Sequence, residues 1–562
     1  MKKLTLIAMA ALLLVCTQCK KNETTDAKII QITFTPTDNG AKTGFNPDGT
    51  FSWSENECIF VGGPDGCIGT LTGTAIDGNI TFTGDITVPN HGDMLHFFYL
   101  GNNKDGSVIP TELDFSAQNG QDVTNFHVAC CSQEYITGNT DFGGTLDVLV
   151  SFAYIDLSAF VDANGAQEVV YLHGADVFSK ATVNYSEGTI TGTNGYISLG
   201  RAINGGGYYA LIPQTTPSST TVKFDSNTKT GTMNFLRGIE TAKLYRHSDQ
   251  SALAPEMGEL RANAGGLFSV SDTKMVRIAQ SNLQYTRTST TQSWANGTWS
   301  FMEHPWSYVE YIPADNTTWT VSEEYENETA IGLFGWGTSG KGNMSDYGAY
   351  YYPWATAVNT TQEGGLYYGP KNRDKNLTDE YANGDWGIYN NPGGELPSWR
   401  VLTKDEWLYL FGMTANNQEI TTHPRYQKYG RGKVSIGEQN GGIIIVPDDF
   451  NDPNTNIVGD GAFVGGLGTT WYGTNTASNY YNNNQFRWDK MVNAGVVFLP
   501  ISGYRDGNVI KNWHNTGYYQ TSTSESVYRA HQMKFTGTEI DPANDTYTKC
   551  EGLSVRLVMD LD

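Results

Sequence analysis

The residue types that carry most enzyme chemistry are scattered in this sequence. Its nine histidines occur singly, no His-Glu-x-x-His motif is present, and the only close cysteines beyond residue 20 are the adjacent Cys130 and Cys131. Zinc needs clustered histidine or cysteine ligands, and an elbow-type serine hydrolase needs a Gly-x-Ser-x-Gly motif, which the sequence lacks. We therefore predict no metal site, no cofactor and no enzymatic activity.

Residues 335–340 (GWGTSG) match the dinucleotide fingerprint Gly-x-Gly-x-x-Gly. In dinucleotide-binding domains these glycines let backbone amides at the start of a helix approach a pyrophosphate. Residues 341–352, which follow, are rich in Gly, Asn and Tyr and show no helical period. We interpret the segment as a turn.

An oxygen-rich run, residues 448–454 (DDFNDPN) with Asp460 after it, offers the hard ligands that calcium prefers. The run lacks the regular spacing of an EF-hand loop. The sequence also has none of the Glu-Pro-Asn, Gln-Pro-Asp and Trp-Asn-Asp motifs with which lectin-like domains bind sugar through calcium. We favour a solvated loop over a calcium site.

Two segments alternate aromatic rings with amide and acidic groups: residues 346–354 (DYGAYYYPW) and 479–488 (NYYNNNQFRW). Aromatic planes suit the C–H faces of sugars, and Asn and Asp suit their hydroxyl groups. The candidate ligand-binding residues are Tyr351, Trp354, Tyr480, Tyr481 and Trp488. The alternative is that these aromatic residues pack the long loops of their own domain.

The N-terminus has the pattern of an export signal. Two lysines precede an apolar run, residues 4–15, that is too short to span about 30 Å of hydrocarbon as a helix. Cys16 and Cys19 end the run, and the chain then becomes polar. This edge resembles a bacterial lipoprotein signal, which implies a signal peptide over residues 1–19 and a lipid on Cys19. Acylation of Cys16, and cleavage without a lipid, are the alternatives; an acylated chain stays on the membrane.

The composition indicates a β-rich chain of the kind found outside cells. The 63 glycines, 32 tyrosines and charged fraction of only 17% are typical of turn-rich β domains and not of helical bundles. The formal net charge of −23 argues against nucleic acid as a partner, because phosphates require Lys and Arg. The roughly 540 residues after the leader exceed what one hydrophobic core serves, so we expect about two to four domains.

Five cysteines lie beyond the leader: Cys58, Cys67, Cys130, Cys131 and Cys550. An odd number cannot all pair within one chain, and Cys130 and Cys131 would face opposite sides of a strand. A disulfide between Cys58 and Cys67 would close a loop in an oxidising compartment. The alternative is that all five are small buried apolar groups.

The chain as far as residue 257 shows short alternating runs separated by turn residues. Ile30, Ile32 and Phe34, for example, alternate with polar residues, which predicts a strand. Many such strands without amphipathic helices between them predict β-sandwiches. We place one sandwich at residues 28–160, a second at 161–257 and a Gly-rich linker at 258–266.

Three segments resemble the fimbrillin family: residues 42–55 (KTGFNPDGTFSWSE), 208–214 (YYALIPQ) and 238–245 (GIETAKLY). The resemblance implies two β-sandwich domains and a pilus subunit that joins others by strand exchange, often after proteolysis behind an arginine near the start. Arg201 is the first arginine in this sequence. That departure favours an anchor, tip or accessory role over a stalk role.

Residues 267–562 change to an aromatic, loop-heavy sequence with two helix signals. Thr403 and Glu406 have the spacing of a capping box ahead of a helix over 404–411. A second helix is predicted over 485–493.

This C-terminal half resembles the C-type-lectin-like fold shared with formylglycine-generating enzymes. The segments that carry the resemblance are 333–338 (LFGWGT), 399–407 (WRVLTKDEW), 498–505 (FLPISGYR), 517–523 (GYYQTST) and 552–558 (GLSVRLV). Those enzymes hold copper with a pair of thiols, and Cys550 is the only cysteine beyond the linker. The resemblance therefore implies the frame without that catalysis.

These patterns predict a mainly β chain: fimbrillin-like sandwiches followed by a mixed α/β, loop-rich domain. We expect a surface lipoprotein of the cell outer membrane that acts as a fimbrial tip or accessory adhesin, with an exchangeable edge strand near residues 28–60. The expected partners are other pilin subunits, a glycan or host ligand, and the membrane. The alternatives are a glycan-binding lipoprotein unconnected with pili and an enzyme on the lectin-like frame.

Overall fold

The computed structural model describes most of the chain from residue 28 onward. The described residues are 28–37, 53, 55–76, 79–101, 106–201, 205–247, 251–289, 291, 297–307, 329–337, 374–394, 398–434, 440–451, 485–506, 509–512, 515–549 and 551–561. None of the helices in these ranges combines the length and the apolar character needed to cross a bilayer.

The described residues form 34 strands and few helices, which confirms the mainly β prediction. Strands as far as residue 258 are β1 (Ile29–Pro36), β2 (Cys58–Gly63), β3 (Gly66–Ile76), β4 (Asn79–Thr87), β5 (Met94–Leu100), β6 (Glu112–Asp114), β7 (Val128–Glu134), β8 (Asp141–Gly144), β9 (Asp147–Val148), β10 (Ser151–Asp156), β11 (Val169–His173), β12 (Phe178–Asn184), β13 (Thr189–Asn194), β14 (Ile197–Arg201), β15 (Gly206–Leu211), β16 (Thr220–Asp225), β17 (Thr230–Phe235), β18 (Leu244–Tyr245) and β19 (Glu256–Gly258).

The remaining strands and the helices follow in the C-terminal half. The strands are β20 (Ala264–Ser271), β21 (Lys274–Ala279), β22 (Leu283–Thr286), β23 (Thr298–Phe301), β24 (Ala330–Ile331), β25 (Trp399–Val401), β26 (Tyr429–Val434), β27 (Asn440–Ile445), β28 (Val497–Pro500), β29 (Tyr504–Asp506), β30 (Val509–Lys511), β31 (Thr516–Ser524), β32 (Arg529–Thr536), β33 (Ile540–Thr548) and β34 (Leu557–Asp560). The helices are α1 (Trp386–Asn390), α2 (Lys404–Phe411) and α3 (Gln485–Asn493), with short 3-10 helices at Thr124–Phe126 and Asp379–Gly384.

The chain divides into two compact units. Unit 1 consists of residues up to Thr111 together with Thr124–Leu149 and Val183–Ile190, and unit 2 consists of Glu112–Val123, Val150–Thr182 and the chain from Thr191 onward. The sequence placed the first boundary at 160/161. In the structure, strand β10 at Ser151–Asp156 pairs with β15 and β18 of unit 2.

Unit 1 is built on one sheet with the strand order β8-β1-β4-β3-β2-β5-β7-β9. Its two outer strands are nearly consecutive, since β8 ends at Gly144 and β9 begins at Asp147. The sheet must therefore curl until its edges meet. Gln133 Nε2 of β7 donates to the Gly143 carbonyl of β8, and a Cβ placed on Gly144 would lie only 2.7 Å from the Cys131 sulfur.

The curled sheet encloses an apolar core. The alternating strands turn every second side chain inward. The buried members are Ile32, Phe34, Ile59, Val61, Leu71, Ile80, Phe82, Ile86, Leu95, Phe97, Tyr99, Ala129, Cys131, Tyr135, Phe142 and Leu146. Trp53 adds edge-on contacts to Phe82 and Tyr99, with ring centroids at 5.2 and 5.1 Å.

The four described cysteines are free thiols. Cys58 lies opposite Thr72 and not opposite Cys67, so the two cysteines of the proposed disulfide are out of register. Cys131 belongs to the core of unit 1 whereas its neighbour Cys130 does not, as expected for adjacent residues of a strand. Burial raises the pKa of the Cys130 thiol to about 12, which keeps it protonated at neutral pH.

Unit 2 begins with a two-sheet sandwich. A three-stranded sheet, β15-β10-β18, faces a five-stranded sheet, β14-β11-β16-β17-β19. Both sheets contribute to one core, for instance Ile155 and Tyr209 from the first and Leu172, Phe224 and Phe235 from the second. A third sheet, β13-β12-β6, completes this part of the chain.

The last part of the predicted linker at 258–266 is strand. Residues 264–266 belong to β20, which pairs with β21. Their glycines allow close approach of other segments: a Cβ on Gly265 would lie 2.5 Å from the Ile278 carbonyl oxygen, and a Cβ on Gly266 would lie 2.6 Å from the Pro447 side chain. Close packing therefore explains these two glycines.

Unit 2 ends in several small sheets around a shared core. The sheets are β20-β21-β34-β25, β23-β22-β24, β26-β27-β28, β29-β30 and β31-β32-β33. Helix α2 packs into this core through Trp407, Leu410 and Phe411, all fully buried. Strand β34 lies in the middle of its sheet, hydrogen-bonded to β21 on one side and to β25 on the other.

Both predicted helices are confirmed with the predicted bounds. At the start of α2, Thr403 Oγ1 accepts from the Glu406 amide at 3.1 Å, and Glu406 Oε2 accepts from the Thr403 amide at 2.9 Å. This reciprocal pair is the predicted capping box. Glu406 also pairs with Arg400 at 2.7 Å, so the cap is tied to strand β25.

A buried ion cluster joins the sandwich to the C-terminal sheets within unit 2. Arg277 on β21 donates to Asp225 Oδ1 at 2.6 Å, to the Ser226 carbonyl at 2.7 Å and to the Asn227 carbonyl at 3.2 Å. His173 contacts the other Asp225 oxygen at 2.7 Å. Burial alone would raise the pKa of Asp225, but Arg277 and then His173 lower it to about 2. The carboxylate is therefore ionised at neutral pH.

We predict that Asp225→Asn destabilises unit 2 by about 3–5 kcal/mol at neutral pH, because it leaves the Arg277 guanidinium buried without a counter-charge. The folded pKa of Asp225 lies below its usual 3.8, so the carboxylate stabilises at neutral pH and the effect disappears as pH falls from 3.8 towards 2. Urea unfolding at several pH values should show the gap between wild type and variant closing in that window. The exposed Asp545→Asn is the control, and a gap independent of pH would contradict the assignment.

Candidate functional site

The predicted lipidation and ligand-binding residues mostly lie outside the described part of the chain. Cys16 and Cys19 precede it, and Tyr351, Trp354, Tyr480 and Tyr481 fall in its gaps. Trp488 belongs to α3, whose backbone is described there. The lipid anchor and the ligand site therefore stay predictions.

The acidic run at 448–454 is described as far as residue 451, and its first two carboxylates are already engaged. Asp448 accepts from Arg425 at 2.5 Å and from the Ser269 amide at 3.1 Å. Asp449 accepts from the Tyr171 hydroxyl. Burial raises the pKa of Asp449, and the Tyr171 hydrogen bond opposes that rise. Across the described residues no group of three His, Cys, Asp or Glu side chains is placed to hold a metal ion.

The glycine motif at 335–340 is described as far as residue 337 and forms a turn there, as interpreted from the sequence. Gly337 has a φ of +71°, in the left-handed region. Trp336 is fully buried and donates its indole N–H to the Thr521 carbonyl at 2.8 Å. The described part of the motif thus belongs to the core of unit 2.

Strand β1 is the candidate assembly element, and the structure shows how it is held. It pairs antiparallel with β4, from Ile29 opposite Thr87 to Phe34 opposite Phe82. On its other side it pairs parallel with β8, where Thr33 lies opposite Asp141. β1 is therefore an interior strand that lies in a slot between β4 and β8.

The slot is apolar on its inner face and polar on its outer face. Ile32 is 1% exposed and Phe34 is fully buried, with the Phe34 ring stacked on Phe97 at 4.5 Å. On the outer face, Thr33 Oγ1 donates to Asp141 at 2.7 Å. Burying an Ile and a Phe side chain stabilises the seated strand by roughly 1.5–3 kcal/mol each.

The structure corrects the prediction of an edge strand near residues 28–60. Both described strands of that segment are interior, since β1 lies between β8 and β4, and β2 lies between β3 and β5. The sequence missed the closure because its partner, Asp141–Gly144, has only four residues and ends in two glycines. So short a run carries no alternation signal. Exchange at β1 would have to proceed by displacement from the slot and not by pairing at a free edge.

The other end of the described chain is equally integrated. Leu557 and Val558 of β34 are fully buried. Asp560 accepts from Arg400 at 2.7 Å and from Lys274 at 3.1 Å. Because β34 is hydrogen-bonded to a strand on each side, it has no free edge at which it could pair with another subunit.

The chain matches no family model and no curated protein. Several solved structures align with its parts. A candidate cell adhesion protein from Bacteroides uniformis is 13% identical, with 41% of this chain and 97% of that chain covered and a TM-score of 0.27. A fimbrial assembly protein from Parabacteroides distasonis is 8% identical, with 45% and 95% covered and a TM-score of 0.23.

A candidate adhesin from Bacteroides ovatus is 12% identical, covers 36% of this chain and 72% of its own length, and has a TM-score of 0.22. At TM-scores this low, a likeness does not establish a shared fold. The proposals below therefore rest on the residues and contacts of this chain.

We predict that Phe34→Ala destabilises unit 1 by about 3–5 kcal/mol, because it leaves a cavity in the slot where the ring stacks on Phe97. Hydrogen exchange of peptides from β2 to β5 at increasing urea concentration measures the loss. Gln31→Ala, on the exposed face of the same strand, should change stability by less than about 0.5 kcal/mol. Equal effects of the two substitutions would show that β1 is not seated by its apolar face.

Proposed function

We propose that this chain is a cell-surface adhesin subunit of a fimbrium, in a tip or accessory position, and that it assembles through the β1 slot. The observation that carries the proposal is that β1 is hydrogen-bonded to a strand on each side and buries Ile32 and Phe34 on its inner face. A strand of a partner subunit with the same alternation could replace β1 without changing the rest of unit 1. Main-chain hydrogen bonds would supply affinity, and the inner pockets would supply specificity.

Strand β34 is a poor candidate for exchange. It is hydrogen-bonded on both sides and anchored by the ion pairs of Asp560. Withdrawing it would break the core of unit 2, so donation of this strand is energetically costly. The strand exchanged under this proposal is therefore β1.

A disulfide that locks β1 in place tests the proposal. Gln31 and Asp85 are exposed and lie directly opposite each other on β1 and β4. We predict that Q31C/D85C prevents this chain from forming SDS-resistant multimers in unboiled surface extracts. A reducing agent should restore them. The four described native cysteines are buried or half-buried, which limits mispairing.

The matched control is E112C/T182C, which places a disulfide between two exposed, directly opposed residues of β6 and β12 in unit 2. It should leave the multimers intact. A locked β1 that assembles as well as wild type would contradict the strand-exchange role. Absence of wild-type multimers would favour a surface protein unconnected with pili.

We further propose that the C-terminal part of unit 2 binds the adhesin's glycan or host ligand without catalysis, through Tyr480 and Trp488. The second half of α3 is anchored, because Met491 is buried in one cluster with Ile444 and Phe498. A binding residue on an anchored helix loses less conformational freedom when a ligand binds.

We predict that Tyr480→Ala and Trp488→Ala each lower binding of the full chain to its positive sugars on a glycan array by about tenfold, because each removes an aromatic platform. Tyr528→Ala is the control, since Tyr528 is a half-exposed tyrosine elsewhere in the same half of the chain. Unchanged binding by both Tyr480→Ala and Trp488→Ala would remove these residues from the site.

A further inference from the structure

The sandwich of unit 2 carries an open groove of about 450 Å³ where strand β17 ends and β18 begins. This volume lies in the range of small-ligand and peptide sites. Its lining comes from the end of β17, the following loop, β18 and Leu253. The fimbrial role proposed above makes no use of it.

The loop that forms the groove, residues 236–243, has a fixed backbone. The Tyr245 hydroxyl accepts from the Glu240 amide at 2.7 Å and donates to the Gly238 carbonyl at 3.1 Å. From the other side, Gln214 Oε1 accepts from the Ile239 amide at 3.1 Å. A loop whose backbone is already ordered loses less conformational freedom when a ligand binds, which lowers the cost of binding.

The groove concentrates positive charge on a chain whose net charge is −23. Arg237, Lys243 and Arg246 all line it. Glu240 is the only acidic residue among the described lining residues, and its carboxylate pairs with Lys243 at 3.3 Å. Within the described parts of the chain, no carboxylate lies within ion-pair distance of Arg237 or Arg246. Among the described residues, these two guanidinium groups have no carboxylate partner.

An apolar side chain stands beside these cations. Leu236 is 82% exposed, the highest exposure among the large apolar side chains of the described residues. It lies next to Arg237 on the loop whose backbone is held by the hydrogen bonds described above. A single exposed leucine is common on protein surfaces, but this one stands beside the cations that line the groove.

We propose that this groove binds an acidic peptide segment of a partner protein, one that carries apolar side chains between its carboxylates. Arg237 and Arg246 would pair with the carboxylates, because guanidinium groups match carboxylate geometry with two parallel hydrogen bonds. Leu236 would contact the apolar side chains. The proposal is independent of strand exchange at β1.

The lining favours a peptide over an acidic sugar. Sugars bind through open aromatic faces, whereas Phe235 is buried and packs edge-on against Tyr245 at a centroid distance of 4.9 Å. Tyr245 is half-buried, with its hydroxyl hydrogen-bonded to the loop, and the aliphatic surface of the lining comes from Leu236 and Leu253. Aliphatic side chains complement a leucine or valine of a peptide better than they complement a sugar ring.

Binding of synthetic peptides to the full chain tests the proposal. The probe is fluorescein-labelled Glu-Leu-Glu-Leu-Glu, and the control peptides are Glu-Gly-Glu-Gly-Glu and Lys-Leu-Lys-Leu-Lys. Binding is to be measured by fluorescence anisotropy at two salt concentrations. The acidic leucine peptide should bind most tightly and should weaken at higher salt. R237A/R246A should weaken it on the order of tenfold or more, and Leu236→Ala by several-fold.

The control variant is Lys223→Ala, which removes a positive charge from β16 of the same sandwich without touching the groove. It should leave binding unchanged. Failure of the wild-type chain to bind the acidic leucine peptide, or equal binding by R237A/R246A, would overturn the proposal. A third outcome would also overturn the proposal: polyglucuronic acid displaces the probe, and the glycine peptide binds as tightly as the leucine peptide. That result would assign the groove to acidic sugars.

Discussion

Strand β1 lies between β4 and β8 and buries Ile32 and Phe34, and this completes the curled sheet of unit 1. These two side chains occupy the inner face of β1, and the rings of Phe34 and Phe97 stack at 4.5 Å. Without β1, the sheet would expose an apolar slot and two rows of unpaired backbone groups, one along β4 and one along β8. In the curled sheet, β8 lies against β7. This closed shape requires a strand at the position of β1.

Unit 2 is held together in a different way, through buried arginines. Arg277 donates to Asp225 and to four backbone carbonyl groups. Arg556 donates to the Asn282 side chain and to the Ala279 and Phe498 carbonyls. Burial lowers the pKa of Arg556 to about 10, yet the guanidinium stays charged at neutral pH. Each planar guanidinium group binds several backbone carbonyl groups at once, which orders the segments that connect the small sheets of this half.

Local signals in the sequence predicted local structure well. The capping box at Thr403 and Glu406 needs only four consecutive residues, and the structure contains both of its hydrogen bonds. The alternation of Ile30, Ile32 and Phe34 predicted strand β1 and its buried face. Neither feature depends on a distant part of the chain.

Long-range features could not be predicted in the same way. The second side of β1 is closed by Asp141–Gly144, more than a hundred residues away, so the strand was expected at an edge. Gly265 and Gly266 were placed in a linker because the atoms they pack against, such as those of Ile278 and Pro447, come from other segments of the chain. The cations of the groove were visible as three basic residues within ten positions, but only the fold places them around one space.

Native-state hydrogen exchange of the full chain tests the central claim, that β1 leaves its position more readily than the other interior strands of unit 1. Peptides from Ile29–Pro36 are compared with peptides from Met94–Leu100, since both strands are hydrogen-bonded on two sides. Our account predicts that β1 exchanges through a separate, lower-energy opening. Exchange of both strands only in a common, global unfolding would contradict it.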